Sequence, residues 1–434
     1  MRNRLFALLS ATLILLSALI AVPHAVTGAI FSHDLISGVA YADRGLMAEQ
    51  MVDIDAPAGI LVTRSGQVLW SRNADEHRSI ASITKVMTAI LALENGNPDD
   101  MVEISYEAAT IGGSTANLAV GEVYPLGDLI EMMMLASGND AAIALSEHVG
   151  TQLGNQPNRD EGQDPGVEIG FEGGSAGSEA FIALMNQKAT ELGMGDTRFE
   201  NPQGYDGENH YSSAADVAKM VTYAMAIPRF REIVASPDLP DSLIQNTNQL
   251  LRTFPGANGV KTGMTDSAGN CVAASALRDD IEIYAVVLGS STEDSRFTDA
   301  AALLTFGFDH YASRTLMEAG TILGTAEVLD YLDVGVEVGV DHEVTAVYFD
   351  LLGPVEHHVG IEPVRAPVEV GTIVGFISFT QNGIEIAREK IVSFEAVDKP
   401  TFFESISIAL TRLWRSITGS SPSTVSITVV CPNA

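Results

Sequence analysis

Ala81-Ser82-Ile83-Thr84-Lys85-Val86-Met87-Thr88 decides how the rest of this 434-residue chain is read. The stretch from Ser82 to about Glu94 has helical character and is stopped by Asn95-Gly96-Asn97-Pro98. Residues three apart share one face of a helix, which makes the Ser82 hydroxyl and the Lys85 amine neighbours. A serine hydroxyl is a weak nucleophile until a base takes its proton. A lysine amine becomes that base when desolvation and nearby positive charge lower its pKa. The four-residue pattern has little weight alone, because any surface helix can carry Ser and Lys at this spacing.

Two later elements add that weight. Ser137-Gly138-Asn139 follows the apolar run Ile130 to Leu135, and Lys261-Thr262-Gly263 follows Gly256-Ala257-Asn258-Gly259-Val260. Ser-x-x-Lys, a Ser-x-Asn element and Lys-Thr-Gly, in this order, mark penicillin-recognising serine enzymes. The wider text agrees at Ala81 to Thr88, Ala136 to Ala142 (ASGNDAA) and Gly259 to Ala268 (GVKTGMTDSA). It resembles the low-molecular-mass penicillin-binding proteins of the D-alanyl-D-alanine carboxypeptidase type, from about Ala58 to Lys390.

That resemblance implies a serine D,D-carboxypeptidase acting on peptidoglycan stem peptides that end in D-Ala-D-Ala. Ser82 would attack the carbonyl of the terminal bond and Lys85 would accept its proton. Backbone N–H groups of Ser82 and Met264 would hold the oxyanion. Ser137 would relay a proton to the leaving amine, and Asn139 would orient Lys85 and bond the substrate peptide. Lys261 and Thr262 would hold the terminal carboxylate, and Gly263 lets strand and ligand approach closely. A β-lactam would acylate Ser82 as a covalent inhibitor. No cofactor is implied, and no Cys/His cluster has metal-ligand spacing. Two features depart from the family: Met264 stands where His is common, and a long acidic insertion follows the Ser137 element.

Other functions stay open at this stage. A class A β-lactamase would carry Glu-x-x-Leu-Asn between Ser137 and Lys261, and no such pattern is found. A D,D-endopeptidase would share all three motifs. A silent wall-binding scaffold would have no use for six such residues in order.

Composition limits the partners. The chain is 46% hydrophobic and 18% charged, as globular proteins are, with a formal net charge of −32. That charge argues against nucleic acid and against purely electrostatic attachment to anionic lipid. Of the two cysteines, Cys271 lies in an apolar run and reads as a buried thiol, and Cys431 is near the end of the chain.

Arg2 and Arg4 precede the apolar stretch Leu5 to Val22, the pattern of a secretory leader. Residues 1–42 are assigned to it, with cleavage after Ala29 or Ala42; an uncleaved anchor is the alternative. Either way the catalytic part is exported.

The remaining organisation is α+β, a β-lactamase/transpeptidase-like domain over residues 43–314. Strands Gly59 to Thr63 and Gln67 to Trp70 form an early hairpin. Helical periodicity dominates from Ser82 to about Ser146, and further helices run from Ala180 to Leu192, Ala215 to Ala226 and Asp294 to Phe306. Strands Val260 to Thr262, Asn270 to Ala276 and Ile281 to Gly289 come late. Strands at both ends with helices between them predict an antiparallel sheet flanked by helices. Thr151 to Ser178, rich in Gly, Asp, Glu, Pro and Asn, reads as a surface insertion.

A small all-β domain is expected over 315–397, from the period-two run Asp333 to Val340 and the Asn382-Gly383 hairpin signal. Residues 398–418 hold an amphipathic helix. Phe402, Phe403, Ile406, Ala409, Leu410, Leu413, Trp414 and Ile417 share one stripe at about 100° per residue, with Arg412 and Arg415 opposite. Such a helix either packs on its own domain or lies in a membrane interface with its arginines towards headgroups. In the resembled family it tethers the enzyme to the outer face of the cytoplasmic membrane. The tail 419–434 has no assigned role.

Overall fold

The structure is a computed structural model that describes residues 52–154, 176–240 and 242–419. The expected leader 1–42, most of the acidic insertion, Cys431 and nearly all of the tail lie outside the described residues. The chain divides into two compact units, Met1–Gly307 and Phe308–Ala434.

In the first unit the hairpin strands are β1 (Ala58–Thr63) and β2 (Val68–Arg72), turning at Gly66 with φ 85°. A 3₁₀ turn, Ala81–Thr84, leads into α1 (Lys85–Asn95). The sequence KVMTAILALEN holds no charge between Lys85 and Glu94, and every residue from Lys85 to Ala92 is buried. A helix apolar on all sides belongs at the centre of a domain, and this one carries Lys85 inward with it.

The expected run of helix up to Ser146 is interrupted. Strand β3 (Met101–Glu103) precedes α2 (Tyr106–Thr110) and pairs with β4 (Val123–Pro125). Three-residue strands are too short for their alternation to stand out from helical periodicity. Then follow α3 (Leu126–Leu135), α4 (Asn139–Gly154), α5 (Ala176–Glu191) and α6 (Ala214–Met225). Two helices not expected from the sequence follow, α7 (Pro228–Ala235), which Pro228 opens, and the single turn α8 (Leu250–Thr253).

Three long strands complete the sheet: β5 (Ala257–Thr265), β6 (Gly269–Arg278) and β7 (Ile281–Ser290), followed by α9 (Glu293–His310). Strand order is β2-β1-β7-β6-β5, antiparallel throughout. Burial of every residue from Glu282 to Leu288 fits a central strand covered on both faces. Helix α6 packs on β1 and β7, and α9 covers Leu61 and Ile283 through Gly307. The sheet edge that ends in β5 carries Lys261-Thr262-Gly263 and meets the 3₁₀ turn bearing Ser82.

In the second unit, β8 (Tyr311–Met317) runs through the expected 314/315 boundary because it pairs with β11 (Val344–Phe349). The other sheet combines β9 (Ile322–Glu327), β10 (Gly335–Gly339), β12 (Val355–Ile361), β13 (Ile373–Gln381) and β14 (Ile384–Ser393). Val336 and Val338 face the core and Glu337 faces out, as their alternation requires. Asn382 and Gly383 take φ 51° and 76°, the left-handed pair of a two-residue hairpin.

Helix α10 (Phe402–Thr418) begins in a capping box between Thr401 and Glu404, and none of its residues is buried. Arg412 donates to the carbonyls of Leu329 and Tyr331 at 2.6 and 3.1 Å, and Arg415 forks onto Asp333 at 3.2 and 2.5 Å. The arginines expected to face lipid headgroups are thus held by the helix's own unit. No described helix is long and apolar enough to cross a membrane.

The turn before Ser82 is held in a demanding geometry. Ala81 takes φ 48°, a left-handed conformation costing an L residue about 1–2 kcal/mol. Gly204, at φ 92°, lies so close that a Cβ there would sit 2.0 Å from the Ala81 carbonyl oxygen. Gly204→Ala should therefore cost on the order of 2–4 kcal/mol, from positive φ and a forced backbone shift. Denaturant unfolding measures it, and a loss below about 0.5 kcal/mol would show that the turn yields freely.

Candidate active site

Lys85 is fully buried at the start of α1. Its Nζ lies 2.7 Å from Ser82 Oγ, 2.7 Å from Asn139 Oδ1 and 2.6 Å from the Gln203 carbonyl oxygen. Burial drives its pKa well below the usual lysine range, and the Lys261 charge adds to that, against a smaller opposing pull from Asp140. A neutral amine has two hydrogens and one lone pair. Asn139 Oδ1 and the Gln203 carbonyl can only accept, so both hydrogens go to them and the lone pair faces Ser82 Oγ. That is the arrangement in which a serine can surrender its proton.

Asn139 opens α4, its backbone N–H held by the Ser114 carbonyl at 2.8 Å. Its Nδ2 donates to the Gly112 carbonyl at 2.9 Å and to Tyr205 Oη at 3.3 Å. Beside it, buried Asp140 accepts from the backbone N–H groups of Ala116 and Leu118 and from the Thr115 hydroxyl, tying down the 112–118 loop. Ser137 is buried with a left-handed φ of 62°, and it is not among the three partners of Lys85.

On β5, Lys261 is 1% exposed, and its Nζ donates to the Thr262 carbonyl at 3.1 Å. Burial pushes its pKa down to about 7, with help from the guanidinium of Arg296. Arg296, itself buried, donates to the Gly263 carbonyl at 3.3 Å. Thr262 Oγ1 shares a hydrogen bond of 2.7 Å with Thr247 Oγ1. A Cβ on Gly263 would lie 3.0 Å from Ser82 N, so the strand and the Ser82 turn pass backbone against backbone. Met264 follows with its side chain 62% exposed.

The structure thus joins Ser82, Lys85 and Asn139 by direct bonds and brings Gly263 against Ser82. Lys261 is linked to Lys85 through its field. A segment outside the three motifs, not singled out from the sequence, completes the cluster, Asn201-Pro202-Gln203-Gly204-Tyr205-Asp206. Within it the Gln203 carbonyl holds Lys85, Gly204 packs on Ala81, Tyr205 bonds Asn139, and Asp206 accepts from Thr265 Oγ1 at 2.8 Å. Asn201 Oδ1 shapes the turn by accepting from the N–H groups of Gly204 and Tyr205. Asn-Pro with a glycine two residues on is a turn signature, and it was the available signal. His210 supports the same region. Burial pushes its pKa down to about 4, and its neutral ring accepts from Glu200 N at Nδ1 and bonds Thr84 through Nε2. Arg296 sits inside an ordinary helical pattern, and no sequence signal marked it.

Comparison with known proteins identifies the family. The family model for D-alanyl-D-alanine carboxypeptidases matches residues 46–156 and 172–292. The carboxypeptidase DacC of Escherichia coli is 31% identical over 385 residues, covering 84% of this chain and 90% of its own. The crystal structure of DacD from Francisella tularensis superposes with a TM-score of 0.55 at 26% identity, covering 80% of this chain and 95% of that one. A Streptomyces DD-transpeptidase gives a TM-score of 0.51 at 30% identity over 59% of this chain and 98% of its own. The chain belongs to the D-alanyl-D-alanine carboxypeptidase family.

Proposed function

We propose that this chain removes the terminal D-Ala from peptidoglycan stem pentapeptides through an acyl-enzyme on Ser82. The observation that carries the proposal is the contact between Lys85 Nζ and Ser82 Oγ, with both amine hydrogens committed to carbonyl oxygens. Ser82 Oγ attacks the penultimate D-Ala carbonyl as its proton passes to Lys85. The N–H groups of Ser82 and Met264 receive the oxyanion. Ser137 relays a proton to the departing D-Ala amine, and water then releases the shortened peptide. Lys261 and Thr262 hold the free C-terminal carboxylate, and a β-lactam presenting a similar carboxylate acylates Ser82. With Met264 in place of the family's common His, only a backbone N–H is asked of that position.

We further propose that the protein is exported and rests on the outer face of the cytoplasmic membrane through α10. With Arg412 and Arg415 turned to the helix's own unit, Phe402, Phe403, Leu410, Leu413, Trp414 and Ile417 stand 58–82% exposed. A contiguous aromatic and aliphatic stripe of this kind suits a lipid interface.

Ser82→Ala should abolish both D-alanine release from a stem pentapeptide and labelling by a fluorescent penicillin, with an unchanged thermal midpoint. Retained labelling would move the nucleophile elsewhere.

A group that binds an anion while charged loses that role as pH rises through its pKa. Carboxylate capture by Lys261 should therefore weaken above about pH 7 in the free enzyme. The alkaline limb of kcat/KM should shift upward in Lys261→Arg, whose guanidinium stays protonated. An alkaline limb that does not move would detach it from Lys261.

Deleting residues 402–434 should release the protein from membranes into the soluble fraction with activity intact. Persistent membrane association would assign the anchor to the Leu5 to Val22 segment instead.

A further inference from the structure

A carboxamide is nearly symmetric in shape, so something must decide which end of Asn139 faces Lys85. If Nδ2 pointed there, its hydrogens would compete for the amine lone pair and leave Ser82 without a base. The Ser-x-Asn motif supplies the amide but does not fix its orientation. Gly112 O and Tyr205 Oη are the two groups that meet Nδ2.

Tyr205 is suited to fixing it. Its hydroxyl has one proton, and two pure acceptors stand within reach, the carbonyls of Ile111 at 2.8 Å and Gly112 at 3.0 Å. With the proton directed there, a phenol lone pair remains for Asn139 Nδ2. In the reversed amide, Oδ1 would oppose the Gly112 carbonyl, and the phenol would have to withdraw its proton from both acceptors to satisfy it. The loop comes close enough because residue 113 is glycine: a Cβ there would lie 2.6 Å from Asn139 Nδ2 and 3.2 Å from Tyr205 Oη.

We propose that Tyr205 is a positioning residue whose phenol fixes the direction of the Asn139 carboxamide and so keeps the Lys85 lone pair on Ser82. This rests on the reading of Ser82 as nucleophile and Lys85 as base. The effect belongs to the acylation step and passes entirely through Asn139.

The test is the rate of Ser82 acylation by fluorescent penicillin in four proteins: unsubstituted, Tyr205→Phe, Asn139→Ala and the double variant. Tyr205→Phe should slow the limiting acylation rate about 3- to 10-fold, the rate equivalent of one neutral hydrogen bond. The penicillin concentration at half-maximal rate should be unchanged. In the Asn139→Ala background the same substitution should do nothing further. Tyr205→Leu, which also removes the hydroxyl, should repeat the pattern, with thermal midpoints near that of the unsubstituted protein. Equal losses in both backgrounds, a change in the half-maximal concentration alone, or no loss at all would each overturn the proposal. If the unsubstituted protein does not acylate at Ser82, the reading of the site falls first and this inference with it.

Discussion

A lysine amine buried away from the surface is the constraint around which the first unit is arranged. A charged ammonium there would be expensive, and a neutral one still needs partners for its hydrogens. The chain meets both conditions by separate means. Helix α1, with no charge between Lys85 and Glu94, carries Lys85 into the interior, and the Lys261 charge makes protonation there costlier still. Two carbonyl acceptors from distant parts of the sequence, Asn139 Oδ1 and Gln203 O, then take the hydrogens. Ser82 receives what is left of the amine's bonding capacity, which is the lone pair.

The segment Asn201 to Asp206 turns three separate motifs into one site. It touches the Ser82 turn through Gly204, Lys85 through a backbone carbonyl, Asn139 through a phenol and the Lys-Thr-Gly strand through the Asp206–Thr265 bond. Backbone strain gathers at the same place. Ala81 and Ser137 both adopt left-handed φ, and neither is glycine. Such conformations persist only where the surroundings over-determine them, and here the contacts of this segment and of the Asp140-held loop do so. Holding reacting groups in place before substrate arrives removes reorganisation from the reaction itself.

Much of this was legible in the sequence, for reasons that differ by element. The meeting of Ser82, Lys85 and Asn139 could be read because the proposed chemistry requires those side chains at fixed spacing. Strands β5 to β7 and the Asn382-Gly383 hairpin could be read because buried runs and turn residues leave direct marks. Gln203 could not, since it acts through its main chain, and any residue would supply the same carbonyl. Tyr205 and Arg296 reach their partners across 66 and 33 residues of sequence, a juxtaposition that only the folded chain creates. The pair β3 and β4 was hidden by brevity. For the arginines of α10 the helical stripe gave the correct face, but their partners, Asp333 and the carbonyls of Leu329 and Tyr331, lie in a distant loop.

Two lysines of the same intrinsic basicity are shifted by different neighbours. Both are buried, and burial lowers both. Lys85 also feels the positive charge of Lys261, which further favours its neutral form. Lys261 has Arg296 beside it and loses its proton only near pH 7. A carboxylate arriving next to Lys261 favours its charged form, because an opposite charge at close range raises an amine's pKa. On the proposed reading, a substrate with a free C-terminus would restore the Lys261 charge, and that same charge favours neutral Lys85. In a protein of formal net charge −32 this small cationic pocket is a local exception. On the proposed reading, such a pocket would couple recognition of an anionic terminus to the protonation state that attack on the neighbouring carbonyl requires.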